Sequence, residues 1–262
     1  MDFSFLRVLL ITPVALFGAA TPDAFHWTGK IPAGQLIEIR GINGNIHAQP
    51  ASGESADVTA KKTSDARDPA DLQLKVMEHD GGVIICAVSP SSGGDCMDSA
   101  TTPNVKTTVD FTVSVPAGVR FVARTVNGTV EAKSLKSDTE AHTVNGNLVL
   151  STSGTAQGET VNGSITASVG SIKSPAKFST VNGGITLEVP PCASALVHAK
   201  TTNGPIRSDF RLSVRGTSPT KHMDGAIGGG GPELRIATVN GSIRLRRTRQ
   251  TSGYHNPRRP DA

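Results

Sequence analysis

Thr160-Val161-Asn162-Gly163-Ser164-Ile165-Thr166-Ala167 is one of seven copies of a single phrase: an apolar or Thr residue, Asn-Gly, one small residue, then an aliphatic one. The copies centre on Asn43, Asn127, Asn145, Asn162, Asn182, Asn203 and Asn240, followed by Gly44, Gly128, Gly146, Gly163, Gly183, Gly204 and Gly241. From Asn127 to Asn203 the steps are 18, 17, 20 and 21 residues. A period of about 20 residues marks stacked units, each too small to bury its own apolar face.

Asn-Gly between apolar strands is the usual signature of a two-residue hairpin turn. A hairpin here would set Val161 against Ser164 and Thr160 against Ile165, so that every face mixes apolar with polar. An uninterrupted strand separates them: Val161, Gly163, Ile165 and Ala167 on one face, Thr160, Asn162, Ser164 and Thr166 on the other. The sequence therefore predicts strand, bend, strand, loop in each copy, with copies stacked in parallel so that Asn lies over Asn and its amides bond along the axis. Upstream apolar positions such as Ala156 and Phe178 have the opposite parity, which places a one-residue slip just before the Thr column. The Asn-Gly pairs are read as structural repeat residues, Gly being required where a backbone takes positive φ or where another backbone comes close.

The repeat is looser at both ends. Ile31-Pro32-Ala33-Gly34 and Val115-Pro116-Ala117-Gly118 open two copies of one module, 31–48 and 115–132, and strands over Val83–Val88 and Val109–Val115 extend or cap the stack. The step from Asn203 to Asn240 is 37 residues, and its excess, 215–231, reads by composition as a mobile loop and the first place to look for a site.

Residues 1–20 have the charged start, apolar run (Val8 to Phe17) and small-residue end of a secretory signal. The rest of the chain, a domain over 21–247 and a basic tail over 248–262, is expected outside the cytoplasm, with no transmembrane segment once the signal is removed. Net charge is +4, much of it from Arg244 onward, where Asp261 alone opposes six arginines. Such a run reads first as a solvated, disordered end, and it also suits an anionic envelope polymer or nucleic acid. Of three cysteines, Cys86 and Cys96 flank a short segment and are expected to pair in an oxidising compartment, leaving Cys192 as a small buried hydrophobe. No phosphate loop, metal-spaced His/Cys group or nucleophile elbow is present, so no cofactor, metal or catalytic residue is assigned. One Trp and one Tyr leave little for sugar or base stacking, and specific nucleic-acid binding is not expected.

From Ile31-Pro32-Ala33-Gly34 through the Thr-Val-Asn-Gly copies to the stretch Ile227–Leu245, IGGGGPELRIATVNGSIRL, the chain resembles the bacterial putative-adhesin family of β-strand-repeat proteins. The resemblance implies a single-chain parallel β-solenoid, all-β and β-helix-like, with a surface or periplasmic location. The function expected is that of a non-enzymatic scaffold binding an envelope polymer or surface protein through a ladder of Thr, Asn and Ser. A polysaccharide-active enzyme is the rival, but Glu140, Glu159 and Glu188 fall in different columns of the repeat, and no acid cluster is expected. The column of Arg124, His142, Glu159, Ser179 and Lys200 is read as cross-strand pairing.

Overall fold

A computed structural model of the chain describes residues 24–63, 72–88, 96, 107–215 and 220–248. The signal segment and the tail beyond Thr248 lie outside these residues. The described residues form strands and no helix, numbered β1 to β21 in chain order. They make two mixed sheets. The first has ten strands in the order β1 (Ala24–Lys30), β4 (Ser55–Thr63), β7 (Thr108–Val115), β3 (Ile46–Pro50), β9 (Val130–Leu135), β11 (Leu148–Thr152), β13 (Ile165–Val169), β15 (Ile185–Val189), β21 (Ile243–Arg247), β17 (Ile206–Ser208). The second has eleven: β18 (Ser213–Arg215), β19 (Lys221–Ile227), β16 (Ala195–Asn203), β20 (Glu233–Asn240), β14 (Ala176–Asn182), β12 (Ala156–Glu159), β10 (Thr139–His142), β8 (Arg120–Arg124), β2 (Leu36–Arg40), β6 (Gly82–Val88), β5 (Gln73–His79).

Each repeat gives the second sheet the strand before its Asn and the first sheet the strand after its Gly. Pairing between repeats is parallel and in register, as Ile165 with Ile185 and Gly158 with Phe178. The two opening modules pair the same way, β2 with β8 and β3 with β9. Alternation makes this possible: β13 buries Ile165, Ala167 and Val169 while Thr166 faces out. One apolar core runs between the sheets, with Phe111, Phe121 and Phe178 as the only fully buried rings among the described residues, surrounded by aliphatic side chains. Each fully buried Ile or Leu contributes about 1.5–3 kcal/mol relative to exposure.

Parallel pairing does not extend throughout, which corrects in part the expectation of a parallel β-solenoid. At one end β1 and β4 pair antiparallel, as do β4 with β7 and β5 with β6. At the other, β19 runs antiparallel between β16 and β18. Strands that reverse direction end a stack without offering the next parallel register to another chain. The insertion expected as a mobile loop is therefore structured where it is described: β18 and β19 form a ribbon on the edge of β16, with Met223 and Ile227 buried. Residues 216–219 lie outside the described set.

The order of strands also departs from the order of the chain. The repeat of Asn240 lies between those of Asn182 and Asn203, because β20 pairs with both β14 and β16 and β21 with both β15 and β17. At the opposite end the module of Asn43 lies inside, and the later strands β6 and β7 pack outside it.

Candidate binding surface

The corner where each repeat crosses from one sheet to the other holds the Asn-Gly pair. Along a regular strand successive N–H groups alternate in direction. Here two consecutive ones point the same way: Val161 N and Asn162 N both donate to Val144 O, at 3.3 and 2.8 Å. The same doubling recurs one repeat earlier, Val144 N and Asn145 N to Val126 O, and one later, Val181 N and Asn182 N to Val161 O. It inserts one residue into the alternation, as a bulge does. The slip therefore falls on Val-Asn and not before Thr. This corrects the sequence-based faces: Gly163, Ile165 and Ala167 point inward, but Thr160 is buried and Val161 is exposed.

All six Thr residues of that column are buried, and each hydroxyl donates to the carbonyl of a Gly in the neighbouring repeat. Thr160 to Gly146 O, at 3.0 Å, is representative. The doubled N–H groups leave that carbonyl without a backbone donor, and Thr supplies one inside a sterically tight corner. The Gly column is fixed by approach of backbones. A Cβ on Gly163 would lie 1.9 Å from Gly146 O, and the same overlap, 1.9 to 2.1 Å from a neighbouring carbonyl, meets Gly44, Gly128, Gly146, Gly183, Gly204 and Gly241.

The Asn side chains point outward and form one continuous amide ladder. In spatial order Asn43, Asn127, Asn145, Asn162, Asn182, Asn240 and Asn203 are joined by six Nδ2–H···Oδ1 bonds of 2.7–2.9 Å, each donating toward Asn43. Beside it runs a second line: Val144, Val161, Val181 and Val239 are 39–41% exposed, and Ile42 and Val126 are partly so. The surface presented is thus Asn and Val, with Thr hidden. The extra residue at the corner, invisible to a simple alternation count, is why the sequence misses the Val line.

On the outer face of the second sheet, charged side chains that the sequence assigns to separate columns meet. Arg40 and Arg124 both bind Glu38 Oε1, at 2.8 and 3.0 Å; Arg124 also reaches Glu140 at 2.9 Å, and Arg120 binds Glu140 as well. His142 Nε2 lies 2.8 Å from Glu140 and its Nδ1 4.0 Å from Glu159, which in turn binds Lys177 at 2.6 Å. The expectation that these acids do not cluster is corrected for two of them: Glu140 and Glu159, two columns apart on adjacent strands, share one face and meet at His142, whereas Glu188 lies on the other sheet with Arg246. The hydrogen bond from His142, with those from Arg120, outweighs burial and holds the Glu140 carboxyl at a pKa of about 2. It remains a carboxylate, whereas a proton donor needs the opposite shift. A cavity of about 230 Å³ adjoins it, lined by Arg120, Asp138, Glu140 and Gln157 among others.

Cys86 and Cys96 are joined by a disulfide, and Arg40 bonds Cys96 O at 2.8 Å, tying the bridge to the ion-pair face. The bridge and Met77 cover the outer side of β6, whose seven residues are all buried. Cys192 is exposed, not buried as its small apolar character suggested, because it follows Pro190 in the turn before β16. Among the described residues no His, Cys, Asp and Glu group is arranged to hold a metal, and no helix is long and apolar enough to cross a membrane.

No protein-family model matches the chain, and no curated protein does. Among solved structures it is similar to a "putative cell adhesion protein" from Clostridium sporogenes, with a TM-score of 0.48 and 10% identity over 86% of this chain and 100% of the other. It is also similar to a "putative adhesin" from Bacteroides fragilis, TM-score 0.32 and 10% identity over 87% and 98%. A third, from Parabacteroides distasonis, has a TM-score of 0.30 and 11% identity over 86% and 97%.

Proposed function

We propose that this chain is a non-enzymatic, exported β-solenoid scaffold whose Asn-Val corner binds a cell-envelope or surface partner. The observation that carries the reading is the pairing of a seven-member amide ladder with an exposed Val line. An Asn inside the ladder uses one amide hydrogen and one lone pair on its neighbours, and keeps the other of each for a ligand. The repeat from strand to strand is about 4.8 Å, so identical groups recur at a spacing that suits an extended chain or a regular polymer. The Val line adds apolar area that a solvated surface has no need of. Export is supported by the N-terminal signal pattern and by the Cys86–Cys96 bridge, which persists in oxidising compartments.

The test is binding of the purified protein to envelope fractions of its source cell, beside product analysis of the glycans they contain. Val161→Lys with Val181→Lys should weaken binding by about tenfold or more, since both side chains are exposed and central to the corner. Unchanged binding would remove the corner from the function. The meeting of Glu140 and Glu159 at His142 beside a cavity favours one rival, a polysaccharide-active enzyme. Turnover that disappears in Glu140→Gln or Glu159→Gln would put that reading in place of the scaffold.

A further inference from the structure

The two broad faces of the molecule handle charge differently. On the second sheet, cations alternate with Glu38, Glu140 and Glu159 and neutralise one another. On the first sheet the middle of the outer face is hydroxylic, with Ser151, Thr166, Ser168 and Thr186, and the last two strands break the pattern. Arg244 on β21 pairs in register with Arg207 on β17, so two like-charged residues stand side by side on strands about 4.8 Å apart. Both are exposed, and neither has a carboxylate partner among the described residues. The nearby acids are engaged elsewhere: Glu188 with Arg246 at 3.6 Å, and Asp209 with the backbone N–H of Arg247 at 3.1 Å. The Arg247 guanidinium lies 4.9 Å over the ring of Phe210. Like charges directly opposite destabilise a sheet, so the pair has no structural reason to be there.

We infer that Arg207 and Arg244 form a binding site for an anionic polysaccharide bearing phosphate or sulfate esters. A guanidinium offers a planar fork that matches such oxyanions, and two forks abreast engage successive esters or one ester from both sides. The adjoining Thr186, Thr166 and Ser168 supply hydroxyls for sugar hydroxyls. What this face lacks selects the polymer. Among the described residues it carries no exposed aromatic ring on which a nucleobase could stack, and their exposed large apolar side chains lie elsewhere, so none of these would enter a bilayer there. This site is separate from the Asn-Val corner and stands or falls without it.

The experiment measures binding of the full chain to dextran sulfate and phosphorylated dextran across a salt series, with uncharged dextran, single-stranded DNA and anionic phospholipid vesicles as comparisons. The charged dextrans should bind and uncharged dextran should not. Arg207→Gln with Arg244→Gln should weaken binding about tenfold or more and lower the salt slope by about 1.5, the share of two contacts. Its melting temperature should be unchanged or slightly higher, which a purely structural pair would not show. Val161→Ser with Val181→Ser, which add no charge, should leave dextran binding intact, which separates this site from the corner. Wild-type binding by the Arg pair variant would overturn the inference, as would loss confined to Arg249→Gln, Arg258→Gln and Arg259→Gln in the tail. Tighter binding to DNA or to vesicles than to charged dextran would overturn the choice of partner.

Discussion

Gly163 and Thr160 do complementary work at the corner, one by having no side chain and the other by having a hydroxyl. Any Cβ at 163 overlaps a backbone carbonyl, which a rotamer change cannot relieve. Gly163→Val is expected to cost more than about 4 kcal/mol and to force adjacent repeats apart. Ser164→Val, on an exposed side chain that accepts one bond from Gly184 N, should cost about 1 kcal/mol. Thr160→Val preserves shape but strips the donor from Gly146 O, and should cost about 1–3 kcal/mol, the penalty of an unpaired buried carbonyl. Urea unfolding of the three variants checks the ranking; equal losses at 163 and 164 would contradict the inward placement of Gly163.

Strands β2, β8, β10, β12 and β14 carry an ion-pair face, and its centre sets an acid limit on stability. Glu140 titrates normally near 4.5 and at about 2 in the folded chain, mainly through His142 and Arg120. A depressed carboxyl pKa gives stability that is complete above the ordinary value and is lost as pH falls from about 4.5 toward 2. Because Glu140 is only partly shielded from water, the amount expected is about 1–2 kcal/mol. Glu140→Gln should flatten that segment of the stability curve, measured by urea unfolding between about pH 6 and pH 2. An equally steep acid loss in the variant would assign it to other carboxylates, Glu131 beside Lys133 being the next whose pKa is lowered.

Interleaving makes the stack depend on residues that come late in the chain. Because β20 and β21 lie between repeats that precede them, a chain ending at Gly231 loses an interior layer: β17 loses the strand it bonds, and β16 keeps β19 but loses its link to the rest of the stack. A sequential stack would lose only its last layer and unfold at slightly lower urea. The truncated protein is instead expected to lose cooperativity, with the region from 195 onward open to proteolysis. A single cooperative transition close to that of the full chain would show that β16 can dock directly on β14.

The seven Asn-Gly phrases made the repeat, its period, the parallel register and the amide ladder legible, because each of those arises from like residues recurring at one step. Cys86 with Cys96, ten residues apart, and the pairing between the two Pro-Ala-Gly modules were legible too. That the ladder faces outward needed the structure. Alternation misassigned Val161 and Thr160 because one extra residue with its N–H turned back toward the previous repeat shifts parity, and that shift is a hydrogen-bonding fact that residue types alone do not record. Glu140 and Glu159 looked separate because two columns on one strand are neighbours in space whenever long side chains lean across to adjacent strands. The antiparallel ends, the strand order β14, β20, β16 and the Arg207–Arg244 pair needed the folded chain. Identical repeat edges are compatible with several orders of stacking, and the choice rests on which late strand covers which exposed edge.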